Sequence, residues 1–266
     1  MEIRDKLVLV TGASSGIGEA IAKAMAQAGG RLALLARNEA ELQRVAIDIR
    51  RTGAEAQYFP VDLRDAEAVA NICTRIAQSL GTPDIIVNNA GAGTWRFVDE
   101  TSPAEAQEMM ALPYFAAFNV VHAFLPSMLK RNSGHIVNLS SAASRYVWPG
   151  ATAYIAARWA LRGFTEALRA DMDGTGIGVS FCEAGLTNSP YWQHNPQSRE
   201  RLPGIAKLAP VITPDQVAQA VVSGVESNKK LILVPFMLKV FYWQHAMFPW
   251  LVQWLLIKTG YRREPS

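Results

Sequence analysis

The chain has 266 residues, half of them hydrophobic and 18% charged, with a formal charge of +3 from 26 basic and 23 acidic residues. This composition excludes a disordered chain, and so mild a charge with no Lys/Arg run inside the domain excludes a nucleic-acid-binding surface. The length suits one large α/β domain or two small ones.

The N-terminus MEIRDKLVLVTGA starts a strand almost at once and lacks the basic region, apolar stretch and cleavage site of a signal peptide. LVLVTGA (7–13) reads as a buried strand, followed by a helix over 16–28 that Gly29-Gly30 ends. RLALLAR (31–37) is a second strand, with a helix over 39–51 ended by Thr52-Gly53. AQYFPVD (56–62) is a third strand, with a helix over 65–80, and DIIVNNAG (84–91) a fourth. A long helical region, roughly 103–131, leads to the strand HIVNLSS (135–141). A helix carrying Tyr154 follows, then a strand GVSFCEA (178–184), an irregular segment, a helix near 214–227 and a strand LILVP (231–235). Repeated strand–helix units with unbroken apolar strands predict one parallel, doubly wound sheet of about seven strands with helices on both faces. No repeat or low-complexity linker divides residues 1–235, so they read as one domain. Such folds bind ligands beyond the carboxyl ends of the strands, where strand order reverses. Cys73 and Cys182 lie far apart with no CxxC spacing, and the four histidines are scattered, so buried thiols in a reducing, cytoplasmic setting and no metal site are expected.

TGASSGIG follows the first strand and opens the first helix. Its glycines, Gly12, Gly16 and Gly18, are spaced GxxxGxG, with Ser14, Ser15 and Ile17 between them. A turn without Cβ atoms lets backbone approach a pyrophosphate, and the helix N-terminus offers unpaired N–H groups to it. The alternative is a Gly-rich turn with no ligand, but the motif stands in the strand–turn–helix–strand context that a dinucleotide site requires. At the end of the second strand, an acid would accept from a ribose 2′-hydroxyl and repel a 2′-phosphate. Ala36-Arg37 stands there instead, which favours NADP(H) over NAD(H).

With TGASSGIG, the VDL of 61–63, NNAG at 88–91 and a Ser-then-Tyr pattern in order, the chain resembles the short-chain dehydrogenase/reductase family from about Lys6 to Val234. The resemblance implies a Rossmann-like fold, hydride transfer between NAD(P) and a carbonyl or alcohol, and a homodimer or homotetramer. It also implies roles. Asp62 and Leu63 would flank the adenine, and Asn89, Ala90 and Gly91 would line the nicotinamide ribose. Ser141 would hydrogen-bond the substrate oxygen, and Tyr154 would give or take the proton.

Three departures stand out. The family pattern is Tyr-x-x-x-Lys, and Arg158 replaces the lysine. Arg158 keeps a cation one helical turn from Tyr154 and within reach of a ribose hydroxyl. It cannot relay a proton, because a guanidinium does not deprotonate in proteins. The asparagine that holds a relay water in the family aligns with Pro113, which has neither a side-chain amide nor an N–H; Asn119, six residues on, points elsewhere. The family's Pro-Gly after the sixth strand appears as Ala184-Gly185, preceded by Glu183, while Thr187 and Ser189 remain for the carboxamide and pyrophosphate. Two readings stand: an NADP(H)-dependent oxidoreductase with Ser141, Tyr154 and Arg158 as its catalytic set, or a cofactor-binding protein with little turnover.

Residues 236–266 form an apolar extension. From 240 to 257 only Gln244, His245 and Gln253 break the apolar and aromatic run, with Pro249 in the middle. Tyr242, Trp243, Trp250 and Trp254, followed by Lys258, Arg262 and Arg263, suit a membrane–water interface, so peripheral membrane contact through 240–263 is one expectation. Covering the substrate pocket or burying a subunit interface are the others. All three are compatible with an apolar carbonyl or alcohol as substrate.

Overall fold

All seven apolar runs become strands of one sheet in the computed structural model, which describes residues 1–263; the last three residues of the extension expected over 236–266 lie outside the described residues. In chain order the elements are β1 (Leu7–Thr11), α1 (Gly16–Gln27), β2 (Arg31–Ala36), α2 (Glu39–Arg51), β3 (Ala56–Pro60), α3 (Ala66–Ser79) and β4 (Ile85–Asn88). They continue with α4 (Pro103–Met110), α5 (Ala116–Arg131), β5 (Gly134–Ser141), α6 (Thr152–Asp171) and β6 (Ile177–Ala184). The short α7 (Tyr191–His194) and α8 (Pro196–Glu200) lead to α9 (Pro214–Glu226), β7 (Leu231–Val234), α10 (Met237–Met247) and α11 (Pro249–Lys258).

The strand order is β3-β2-β1-β4-β5-β6-β7 and every pair is parallel. Order therefore reverses between β1 and β4, and a crevice opens at their carboxyl ends. The strands read as unbroken apolar runs because both faces are covered. On β1, Val8 and Val10 pack with Ile21, Met25, Val217 and Val221 of α1 and α9. Leu7 and Leu9 pack on the other side with Ile76, Val120 and Phe124 of α3 and α5. This is the single-domain, Rossmann-like doubly wound sheet that the pattern predicts.

Several strands end before the apolar runs do. Gly12 and Ala13, and Asn89 to Gly91, leave the sheet and become the loops of the crevice. The expected helical region over 103–131 is interrupted by a π-helical turn, Ala111–Phe115, with the buried Pro113 inside it. Proline lacks the N–H that would bond four residues back, and its ring crowds that carbonyl, so the helix admits a wider turn there. This stretch is long and apolar enough to cross a membrane, but α5 buries Val120, Val121, Phe124 and Met128 in the domain, which marks a core helix. Pro249 begins α11, where a missing N–H costs nothing. Both cysteines are buried, and burial pushes each thiol up to about 12, so neither serves as a nucleophile.

Candidate active site

The turn after β1 is shaped for close approach. Gly12 and Gly16 have φ of +66° and +58°, which disfavours any residue with a Cβ. A Cβ on Gly18 would sit 2.1 Å from the Gly12 carbonyl oxygen. Ser15 stands at the N-cap of α1 without capping it, so the first-turn N–H groups receive no side-chain acceptor from it. Thr11 Oγ1 accepts from the Asn89 and Ala90 N–H groups, both at 3.0 Å, and Asn89 Nδ2 donates to the Thr11 and Gly12 carbonyls at 3.0 and 3.3 Å. The β1 and β4 loops are thereby locked together at the point where strand order reverses.

A cavity of about 1010 Å³ runs from this turn to the inner faces of α10 and α11. Gly12, Ser14, Ser15, Gly16, Ile17, Gly18, Arg37, Leu63, Asn89, Ala90, Gly91, Ser141, Tyr154, Arg158, Gly185, Thr187 and Ser189 all line it. Asp62 is not brought to the cavity wall; its carboxylate is held by the Arg64 guanidinium at 2.6 Å, which keeps its pKa below the ordinary carboxylate value.

Ser141 ends β5 and Tyr154 lies in the first turn of α6. Their hydroxyls are 3.3 Å apart. Ser141 Oγ also accepts from the Ala143 N–H at 3.2 Å, and its own proton can point to Tyr154 or to an oxygen in the cavity. Behind the pair, Asn88 donates to Asn138 at 2.9 Å and Asn138 to Thr165 at 2.9 Å, tying β4, β5 and α6 into one rigid support. The Arg158 guanidinium lies over the Tyr154 ring, 4.9 Å from its centroid. It also presses on Gly91, where a Cβ would meet its two terminal nitrogens at 2.9 and 3.0 Å. Arg158 is 7% exposed and its Nε has no hydrogen-bond partner among the described residues. A turn with no room for Cβ, an uncapped helix start and a buried guanidinium with a spare donor together fit a dinucleotide.

Sequence reasoning missed a second phenol. Tyr191, the first residue of α7, also lines the cavity, with its ring centroid 6.5 Å from that of Tyr154. Its hydroxyl donates to the Gly93 carbonyl at 2.7 Å. Burial pushes it well above the ordinary tyrosine pKa, and the Tyr154 phenol adds to the shift. Also missed was an aromatic wall: Trp95 packs on Trp148, Tyr154 and Trp192 at centroid distances of 5.0, 5.5 and 5.8 Å. These residues come from two loops, α6 and α7, and no sequence spacing connects them. Glu183, an oddity in the sequence, is buried and paired with Arg145 at 2.8 Å, and that guanidinium stacks 4.2 Å from the Tyr242 ring of α10. The pair couples the end of β6 to the C-terminal helices. Asn119 faces a separate, smaller cavity beside Cys73 and His122 on the α3–α5 side, so it does not substitute for the amide missing at Pro113.

Both the sequence and the fold are similar to those of known proteins. Residues 6–200 match the family model for short chain dehydrogenases. The chain is 34% identical over 239 residues to an oxidoreductase of Mycobacterium tuberculosis, covering 88% of this chain and 68% of that protein. It is 32% identical over 232 residues to a fatty acyl-CoA reductase of Acinetobacter baylyi, covering 86% and 76% of the two chains. A metagenomic short-chain oxidoreductase solved in complex with NADP superimposes with a TM-score of 0.74 at 29% identity, over 87% of this chain and 98% of that one.

Proposed function

This chain belongs to the short-chain dehydrogenase family of oxidoreductases, and on that premise we propose that it uses NADP(H) to interconvert the carbonyl and alcohol forms of an apolar substrate, with Tyr154 as general acid/base. The observation that carries the reading is the Ser141–Tyr154 hydroxyl pair, 3.3 Å apart, on the wall of the same cavity that begins at the glycine turn.

When bound, the nicotinamide supplies or accepts the hydride at the reacting carbon. The chain does the rest. Gly12, Gly16 and Gly18, with the N–H groups that open α1, would hold the pyrophosphate, and Arg37 would take the 2′-phosphate. Leu63 would contact the adenine, and Asn89, Ala90 and Gly91 the nicotinamide ribose. Ser141 would donate its hydroxyl proton to the substrate oxygen and fix that oxygen beside Tyr154. In the reducing direction Tyr154 gives its hydroxyl proton to the oxygen as it becomes an alcohol; in the oxidising direction it takes that proton back. The Arg158 charge stabilises the phenolate left behind. Without a lysine or a relay amide, Tyr154 is reprotonated from water entering the cavity.

Two phenols share the site, and hydrogen bonding separates their roles. The Tyr191 proton is committed to the Gly93 carbonyl, and burial holds it there, so Tyr191 is wall rather than acid. Trp95, Trp148 and Trp192, with Phe241 and Leu256 of the C-terminal helices, make the substrate end apolar. The Trp95 and Trp148 indole N–H groups and the Tyr146 hydroxyl have no partner within the protein among the described residues, which leaves buried polar atoms to orient a bound molecule. Residues 1–235 form the catalytic domain in this reading, and the extension over 236–263 covers the pocket. The likeness to a fatty acyl-CoA reductase supports a long-chain substrate. The test is steady-state reduction of a panel of apolar aldehydes and ketones. Tyr154→Phe should lower turnover by about 10²–10⁴-fold while NADPH still binds, and Tyr191→Phe should retain the chemistry. Full activity in Tyr154→Phe would remove it from the mechanism.

A further inference from the structure

The helices α10 and α11 have two apolar faces. Leu238, Phe241, Val252 and Leu256 turn inward and line the cavity. On the opposite side, Val240, Trp243 and Met247 of α10, and Trp250, Trp254 and Ile257 of α11, recur at three- and four-residue spacing and are exposed. Trp243, Trp250 and Trp254 are 67%, 71% and 54% exposed, and Phe236 and Phe248 extend the patch at both ends of α10. A helix apolar on all sides belongs inside something, yet the domain covers only one side of each. A surface helix of an ordinary globular domain would present charges there.

Charge identifies what covers the other side. Residues 236–263 contain no Asp or Glu, while Lys239 of α10, Lys258 of α11 and Arg262 just beyond it are exposed; Arg263 is spent on Asp99 at 2.6 Å. A second copy laid face to face on this patch would bring like charges together, because a twofold interface pairs a surface with itself. An anionic lipid surface meets the same cations with opposite charge, and tryptophan is the side chain most suited to the boundary between headgroups and acyl chains. At 11 and 10 residues, α10 and α11 are each too short to span a bilayer, so they would lie in its surface.

We propose that α10 and α11 rest in the surface of an anionic membrane and that the substrate, a long-chain aldehyde, ketone or alcohol, passes from the lipid directly into the cavity on their inner side. The membrane half stands on the patch and its charges; the entry half rests on the oxidoreductase reading above. The hairpin is held to the domain independently of lipid. Gly204 N–H donates to the Thr259 carbonyl at 2.8 Å, Gln253 to the Val147 carbonyl at 3.1 Å, and Arg145 stacks on Tyr242. The outer face is therefore presented on a rigid support.

Flotation of the full chain, loaded with NADPH, with vesicles of phosphatidylcholine alone or mixed with phosphatidylglycerol tests this. The wild-type protein should float with the anionic vesicles and much less with the neutral ones. The triple variant Trp243→Ser, Trp250→Ser, Trp254→Ser touches no cavity-lining residue. It should lose at least about tenfold in vesicle partitioning while its NADPH binding and melting temperature stay at wild-type values. Dodecanal embedded in anionic vesicles should be reduced several-fold more slowly by the triple variant, whereas a short water-soluble aldehyde should be turned over equally. Wild-type protein that stays in the soluble fraction with both vesicle types overturns the proposal; if light scattering then shows a dimer that the triple variant splits, the patch is a subunit contact. Flotation without any carbonyl turnover leaves the membrane surface standing and removes the reductase reading. Flotation with equal dodecanal rates in the two proteins removes lipid-phase entry.

Discussion

Arg37 and Asp62 follow the ends of neighbouring strands, β2 and β3, with opposite fates. Asp62 is drawn off by Arg64, whereas Arg37, exposed at the end of β2, lines the cavity and forms no ion pair among the described residues. An acid in place of Ala36 would repel a 2′-phosphate; the buried Ala36 methyl does not. NADPH should therefore bind more tightly than NADH. A charge-assisted contact is worth about 1.5–3 kcal/mol, and exposure places this one at the low end, so Arg37→Ala should erode the preference by about tenfold. Dissociation constants of both cofactors, measured by fluorescence titration of wild type and variant, check this; equal constants in the unmutated protein refute it. These residues were legible because each lies within a few positions of a strand end, where local pattern and fold class jointly fix its place. Trp95, Trp148 and Tyr191 were not, because only the folding of separate segments over the crevice brings them together. Arg145 was missed for the same reason, although Glu183 hinted at it: a carboxylate inside a buried strand requires a cation nearby.

The long helical region between β4 and β5 shows what element-level reading captures and what it loses. Helical periodicity located the whole stretch, and Pro113 marked a disturbance within it. Periodicity could not tell a kink from the π-helical turn over Ala111–Phe115 that the fold adopts. The turn also sets the chemistry. In place of an amide it carries a buried proline with no donor, while Leu112 beside it lines the cavity. Arg158 on α6 supplies charge but does not deprotonate, so in the proposed mechanism the two elements together lack the relay that a lysine and an asparagine would form. Relay members act as a unit, so restoring one should do little. Arg158→Lys combined with Pro113→Asn should raise turnover about tenfold at a pH where protonation limits the rate, and either change alone by much less. A pH–rate profile of the four proteins on one active aldehyde measures this. Additive single effects, or a double variant no faster than wild type, would show that water already protonates Tyr154 fast enough.

The described residues include two separate exposed apolar surfaces on the helices. One is the tryptophan-bearing face of α10 and α11. The other lies on the π-helical turn, α5 and α6, where Phe115, Phe118 and Trp159 are 49%, 43% and 46% exposed. Here the side chains form a connected layer: Phe118 packs on Phe164 at 5.6 Å and stacks on His122 at 6.1 Å, and Tyr114 packs on Phe164 at 5.9 Å. Gly163 lies on the exposed face of α6 with open space above it, so another helix can approach the backbone closely. Unlike the C-terminal patch, this surface sits on two long core-packed helices of 16 and 20 residues, an arrangement that suits a self-complementary helix bundle between subunits. Placing the subunit contact here also leaves α10 and α11 free for lipid, and it stiffens the α6 segment that carries Tyr154 and Arg158. The homodimer or homotetramer that the family resemblance implies should form through this surface. Phe118→Glu with Trp159→Glu would set carboxylates against apolar neighbours and against each other across the twofold axis, at a cost of several kcal/mol. Light scattering at micromolar concentration should give an oligomer for wild type and a monomer for the double variant, with vesicle flotation retained in both. A wild-type monomer, or a double variant that keeps the wild-type mass, would move the subunit contact off α5 and α6.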